Sequence, residues 1–245
     1  MGTVHVIFQK EMVDPELMEG HIAVVIDVLL ATTTIAAALE YGAKEVVPVR
    51  DSIHGLEAAR ILPDNSFILA GELEGRIIDG FLPPWPTSLK NHVEGKTLIL
   101  STSNGTVAIN KAMKAKKIYT SSMVNGAHVA SHIKRIDRGE DIIVVCSGSD
   151  GSFSMEDFLG AGYFLDSLIG ENSEDYMMTD AAKTALLFYR KHAENYDGFL
   201  YESVVGKELE EYGLGNEVQF ASELNVFSVV PQFFGNKLID IEHKT

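Results

Sequence analysis

The segment "AVVIDVLLATTT", residues 23–34, sets an aspartate inside an apolar run and follows it with three threonines. Seven of its first eight residues are apolar and four of those are β-branched, which is the composition of a buried strand. The period then changes. Thr33–Tyr41 has helical spacing and ends at Gly42, the residue type favoured just past a helix. A strand that feeds a helix across a short polar link is the repeating unit of an α/β fold, and here Asp27 sits at or near the strand's end.

Outward from this unit the same alternation recurs. Strands are predicted at Glu45–Val49, Ser66–Ala70, Thr97–Leu100, Ile118–Thr120 and Ile142–Cys146. Helices are predicted from Ser52 through Leu62, over Thr106–Lys114, and from about Gly126 and Ser154. Strands alternating with helices over short links imply a three-layer α/β/α fold with a largely parallel or mixed sheet. Past Gly170 the pattern weakens to helices ("TDAAKTALLFYRKH", "YESVVGKELEEYG") and a late strand pair near "FSVVPQFFGNKLI". Residues 171–225 therefore read either as a helical cap or as the edge of the same domain. No Gly- or Ser-rich linker divides the chain, so residues 1–245 are expected to form one domain.

Composition narrows the function. The chain is 46% hydrophobic and 22% charged, ordinary values for a soluble globular protein of 245 residues. A formal net charge of -15 argues against a nucleic-acid partner, which would demand clustered lysine and arginine. It leaves room for a small anionic substrate in a local site. The single cysteine, Cys146, rules out an intramolecular disulfide and fits a reducing cytoplasm. The best membrane candidate, Ile22–Leu39, is interrupted by Asp27 and the threonines, so no membrane association is expected.

Four predicted strands run into loops of small polar residues: "VVIDVLLATTT", "LILSTSNGT", "IYTSSMVNG" and "VVCSGSDGSFSMED". At the carboxyl edge of a parallel sheet such loops supply hydroxyls, N–H groups and helix starts for an anion. Each loop alone reads more readily as a helix cap; their coincidence favours a ligand. The same edge carries acids: Asp27, Glu72 after "FILAG", and Asp150, Glu156 and Asp157 after "VVCSG". Clustered carboxylates repel unless a cation joins them, and oxygen ligands without a Cys/His cluster favour Mg²⁺. For Asp27 the competing reading is an acceptor of backbone N–H groups. For Glu156 and Asp157 it is two acids that suit the first turn of a helix. No P-loop, G-x-G-x-x-G, nucleophile elbow or zinc pattern is present. A nucleotide-binding α/β protein is thus the weaker alternative.

"VVIDVLLATTTI", "AGELEG", "DGF", "LILSTSNGT", "SSMVNG", "VVCSGSDGSFSMEDFLGAG" and "TDAAKTA" resemble, in order, the 2-phosphosulfolactate phosphatase (ComB) family from about Ala23 to "VVPQ". That resemblance implies a Mg²⁺-dependent acid phosphatase of α/β fold that converts 2-phosphosulfolactate to sulfolactate and phosphate in coenzyme M biosynthesis. Together with size it suggests a homodimer. With Mg²⁺ as cofactor, Asp27, Glu72 and Asp157 are the expected catalytic residues, and Asp27, Glu72, Glu156 and Asp157 the expected metal ligands. Thr32, Thr33, Ser103, Asn104, Gly105, Thr106, Asn125 and Ser149 are expected to bind the phosphate.

The departures from the family pattern are specific. Leu30 stands where the family reads D-x-L-R-A-T, and Leu73 where it reads G-E-R. "GFLPPWPTSL" replaces G-F-D-x-G-N-S-P and carries Trp85. A charge-assisted bond to an anion is worth about 1.5–3 kcal/mol, so two lost guanidiniums matter unless replaced. Arg76 is the first candidate to compensate, ahead of Lys44 and Arg50. An altered, more apolar substrate touching Leu30, Leu73 and Trp85, or a non-catalytic homologue that binds a small anion, are the alternatives.

Overall fold

Strand β2 (Ile22–Ile26) is buried along its whole length and ends one residue before Asp27. A computed structural model describes residues 2–170 and 176–242 of the chain. On either side of β2 lie β7 (Lys117–Ser121) and β8 (Ile142–Cys146), both parallel to it, with Ile26 in register with Ser121 and Cys146. Beyond β8 come β1 (Thr3–Ile7) and the short β9 (Met177–Met178), again parallel. These central strands have apolar residues on both faces because helices cover both.

A second parallel block comprises β3 (Glu45–Val49), β6 (Thr97–Ser101) and β4 (Phe67–Leu73), with β5 (Arg76–Ile77) folded back on β4. The hairpin β10 (Pro231–Phe234) and β11 (Lys237–Asp240) joins the two blocks. It pairs antiparallel with each through a single register, Gln232 with Tyr119 and Leu238 with Val46. The sheet order is β5-β4-β6-β3-β11-β10-β7-β2-β8-β1-β9. The fold is α/β with a mixed sheet flanked by helices, as expected, and the chain's last strands tie the blocks together.

One face packs α5 (Gly126–Ile136), α6 (Met155–Ile169) and α7 (Asp180–His192) against Val24, Ile26, Val144 and Cys146. The other packs α1 (Ala31–Glu40) and α4 (Gly105–Lys111) against residues of both blocks, from Val25 and Val145 to Val46 and Leu100. Helix α2 (Ser52–Arg60) covers Val47, Val49 and Ile99. Its cap is Asp51, whose carboxylate accepts from the His54 N–H, and not Ser52. Helix α3 (Pro86–Leu89) follows Trp85.

The expected helical region 171–225 opens with residues 171–175, which lie outside the described residues. From Asp180 onward it is helical: α7, α8 (Tyr196–Glu202), α9 (Val204–Glu211) and α10 (Gly215–Ser222). Strand β1 was not anticipated, because five residues with a central histidine carry too little pattern.

Candidate functional site

Residues that follow the carboxyl ends of β2, β4, β6 and β8 meet around one cavity of about 230 Å³. Asp27, Glu72, Ser103, Asn104, Ser149, Glu156 and Asp157, all expected from the sequence, line it together with Gly148 and Asp150. Its other wall is apolar: Leu29, Leu30, Pro84 and Trp85 face Val205 and Leu209 of α9. The carboxylates of Glu74 and Glu208 complete an acidic ring that contains no lysine or arginine. Of the four polar loops, the one after β7 does not reach this cavity.

Asp27 is 5% exposed. Its Oδ1 accepts from the Ala31 N–H at 3.1 Å, at the start of α1. Its Oδ2 points toward Gly105, where an added Cβ would come within 2.6 Å of that oxygen and 2.5 Å of the Ala31 Cβ. Only glycine leaves this place open. Burial, and then the charges of Glu156 and Glu72 set against the Ala31 N–H and Lys10, push the Asp27 carboxyl up to about 7. A group with such a pKa in a cleft is characteristic of a functional centre.

The three threonines do not face the cavity. The Thr32 hydroxyl donates to the Asp27 carbonyl (2.7 Å) and accepts from the Asp27 N–H (3.0 Å). Thr33 and Thr34 donate to the carbonyls of Val28 (2.8 Å) and Pro84 (2.7 Å). Their hydroxyls fasten the link between β2 and α1 and hold the Pro84 loop beside it. The line of hydroxyls is therefore what keeps the carboxylate in place.

Asp157 spans two loops: Oδ1 accepts from the Val28 N–H (2.9 Å) and Oδ2 from the Gly148 N–H (3.0 Å). Burial, with Asp27 and Glu156 beside it, raises its carboxyl, against the two backbone donors. Glu156 is buried next to it, and desolvation raises its pKa while the Ser203 and Ser154 hydroxyls oppose the rise. Glu72 is half-buried. It accepts from the Ser103 N–H (2.7 Å) and hydroxyl (3.1 Å) and from the Gly75 N–H (2.9 Å). Both Ser103 donors are thus directed at a carboxylate.

Other expected residues lie elsewhere. Arg76 is exposed on β5 and lines neither this cavity nor the adjoining one. Asn125 accepts from the Ser122 N–H and donates to the Val229 carbonyl, both in the interior. The Thr106 hydroxyl donates to the Thr102 carbonyl at 2.9 Å. Asn125 and Thr106 thus satisfy backbone groups, a role that residue type alone does not reveal. Cys146 is buried, and desolvation raises its thiol well above the usual range, which removes it as a nucleophile.

Sequence reasoning missed Lys10. It is buried, and its Nζ lies 2.8 Å from Asn104 Oδ1 across 94 residues of sequence. No local pattern announces such a lysine.

Among the described residues, no three His, Cys, Asp or Glu side chains converge closely enough to enclose a metal ion by themselves. The donor chemistry nonetheless suits a hard cation. Asp27 Oδ2 and Glu72 offer oxygen, Gly105 keeps space beside Asp27, and the ring of acids is uncompensated. Mg²⁺ typically uses one or two carboxylates and fills its other positions with water and substrate phosphate.

A family profile described as 2-phosphosulpholactate phosphatase matches residues 7–236. A "probable 2-phosphosulfolactate phosphatase" of Clostridium beijerinckii is 32% identical over 237 residues, covering 96% of this chain and 98% of that protein. The namesake from Clostridium perfringens is 35% identical over 243 residues (98% and 96%). That of Caldanaerobacter subterraneus is 33% identical over 221 residues (89% and 90%).

Proposed function

The chain belongs to the 2-phosphosulfolactate phosphatase family, and on that footing we propose that its acidic cavity hydrolyses 2-phosphosulfolactate to sulfolactate and phosphate with the help of Mg²⁺. The observation that carries the reading is the buried Asp27 beside the space left by Gly105, in a cavity with carboxylates on several sides and no basic residue on its wall. An anionic phosphate ester cannot approach such a ring without a cation between them. Asp27 Oδ2 and Glu72 are the residues that would hold it. When bound, Mg²⁺ supplies charge to the phosphoryl oxygens and a more acidic water.

The chain's own residues do the rest. Asp157 clamps the loops after β2 and β8, so Asp27, Ser149 and Gly148 keep their spacing. Asn104 and Ser149 face the cavity and are placed to contact the phosphoryl group. Asp27, its carboxyl pushed up to about 7, would hold the cation in its deprotonated form, and Glu156 is placed to accept a proton from an attacking water. Val205, Leu209 and Trp85 limit water at the opposite wall.

No helix among the described residues is long and apolar enough to cross a membrane. We take the whole chain as one phosphatase domain, cytoplasmic on its cysteine usage, and homodimeric; sizing chromatography tests the last point. The function is tested by phosphate release from 2-phosphosulfolactate with Mg²⁺ and with chelator. Turnover that disappears in chelator and returns with Mg²⁺ is expected. Full activity in chelator would exclude the metal reading, and inactivity under both conditions would exclude the substrate.

A further inference from the structure

A substrate with phosphate, sulfonate and carboxylate groups brings more negative charge than one cation can balance, and the acidic cavity has no basic side chain to offer. The adjoining cavity, about 330 Å³, has two. It shares Glu72, Glu74, Thr102, Ser103, Asn104 and Asp150 with the first, so a small ligand can extend from one into the other. Its basic residues are Lys10 and Arg50. Arg50 is exposed and its Nη2 lies 2.8 Å from His54 Nε2.

Lys10 differs from Arg50 in being built into the wall. The residue is 6% exposed, and its ammonium contacts Asn104 Oδ1 at 2.8 Å and Glu11 Oε1 at 3.0 Å. An ammonium has three donors, and these contacts engage two of them. The backbone is fixed from two directions. The Lys10 N–H donates to the Ser147 carbonyl at 3.0 Å, and the Lys111 ammonium donates to the Lys10 carbonyl at 2.8 Å. Gln9 adds a bond to the Gly151 carbonyl at 2.9 Å. The segment is thereby pinned between the end of α4 and the loop after β8, which carries Asp150, one of the residues the cavities share.

Five acids line this second cavity; Glu74 and Asp150 belong to the rim it shares with the first, and the other three have partners of their own. Glu11 pairs with Lys10, Asp51 bonds His54, and Glu72 accepts from Ser103 and Gly75. Burying a lysine against a neutral amide costs desolvation that Glu11, half in solvent, only partly offsets. An anionic ligand would complete its surroundings.

We propose that Lys10 determines specificity: with the phosphoryl group in the acidic cavity, its ammonium receives an acidic group on the substrate's carbon skeleton. This inference rests on the proposed activity.

The test compares Lys10→Met, Lys10→Arg and wild type on 2-phosphosulfolactate, 2-phospholactate and p-nitrophenyl phosphate, at one ionic strength with saturating Mg²⁺. Lys10→Met should lose about 10- to 100-fold in kcat/KM on 2-phosphosulfolactate, mostly through KM, and only severalfold on p-nitrophenyl phosphate, where the support of Asn104 alone is lost. Lys10→Arg should retain most of the preference and shows that the position tolerates exchange without loss of fold. A parallel loss on 2-phospholactate assigns the contact to the carboxylate, and its retention assigns it to the sulfonate. Equal losses on all three substrates, or no loss on any, would overturn the proposal. Wild-type inactivity toward 2-phosphosulfolactate would overturn the activity as well. Wild-type turnover with a preference unmoved by Lys10→Met would overturn this inference alone.

Discussion

Asp27 and Glu72 reach the same cavity from the two parallel blocks of the sheet, and they are held in opposite ways. Asp27 follows a strand that is buried at every residue, and the surrounding apolar core withholds water from it. Glu72 lies near the end of a strand whose last residue and return hairpin are exposed, and it is held by donors from Ser103 and Gly75. The buried block fixes a position at the cost of charge; the open block relies on loop hydrogen bonds for position. In the proposed centre, which would take up a cation and then a phosphate, these supply one rigid point and one that can adjust.

Substitution of the two carboxylates sharpens this contrast most. Asp27→Asn keeps the volume and removes the charge a hard cation needs, so Mg²⁺-dependent kcat should fall by roughly a thousandfold or more with the fold intact. Glu72→Gln should cost less, about 10- to 100-fold, and chiefly in the Mg²⁺ concentration required. If Glu72→Gln proves the more damaging, the rigid point lies in the other block.

Gly105→Ala tests the space beside Asp27 without replacing a carboxylate. Its Cβ would stand 2.6 Å from Asp27 Oδ2, so metal affinity and activity should fall about 100-fold. The packing strain should cost about 1–3 kcal/mol in urea denaturation. Normal Mg²⁺ affinity in this variant would show that the cation binds elsewhere.

The pH dependence of stability separates the blocks next. The Asp27 pKa is raised to about 7 from 3.8, so the folded state holds a proton that the unfolded chain has released. The stability from this group is complete below pH 4 and is lost as pH rises through about 7, by at most roughly 4 kcal/mol. Metal-free protein should therefore weaken between about pH 4 and 7. Asp27→Asn should flatten that slope, and Mg²⁺ should stabilise the wild type more at pH 8 than at pH 5. A slope unchanged in Asp27→Asn would assign it to Glu156 and Asp157.

The smallest effect concerns the two leucines. Leu30 lines the acidic cavity, whereas Leu73 is 62% exposed and touches only the second one. Leu30→Arg should move the kcat/KM ratio of 2-phosphosulfolactate to p-nitrophenyl phosphate severalfold, and Leu73→Arg by about twofold or less. Equal shifts would mean that the β4–β5 hairpin closes over the ligand.

Much of this was legible in residues 23–34. An apolar β-branched run that changes period after a polar link can only be a buried strand entering a helix, and a carboxylate at that junction must be held by something. The same logic located Glu72, the Ser103–Asn104 loop and Ser149. The roles of Thr32, Thr33, Thr106 and Asn125 were not legible, because a buried hydroxyl or amide bonds the nearest backbone group as readily as a ligand. Arg76 was placed by loop proximity in sequence, but the antiparallel return of β5 leaves it exposed and outside both cavities.

By itself, then, the order of residues determined the alternating elements and the acids at strand ends, since each depends on periods of a few residues, while the family showed in a succession of motifs along most of the chain. Tertiary structure alone decided which of those loops share a cavity, that the closing hairpin β10–β11 couples the two blocks, and that Lys10 stands beside Asn104. The physical reason is range: propensity and patterning act over one or two turns of chain. A buried ammonium finds its partner 94 residues away only after the core between them has packed.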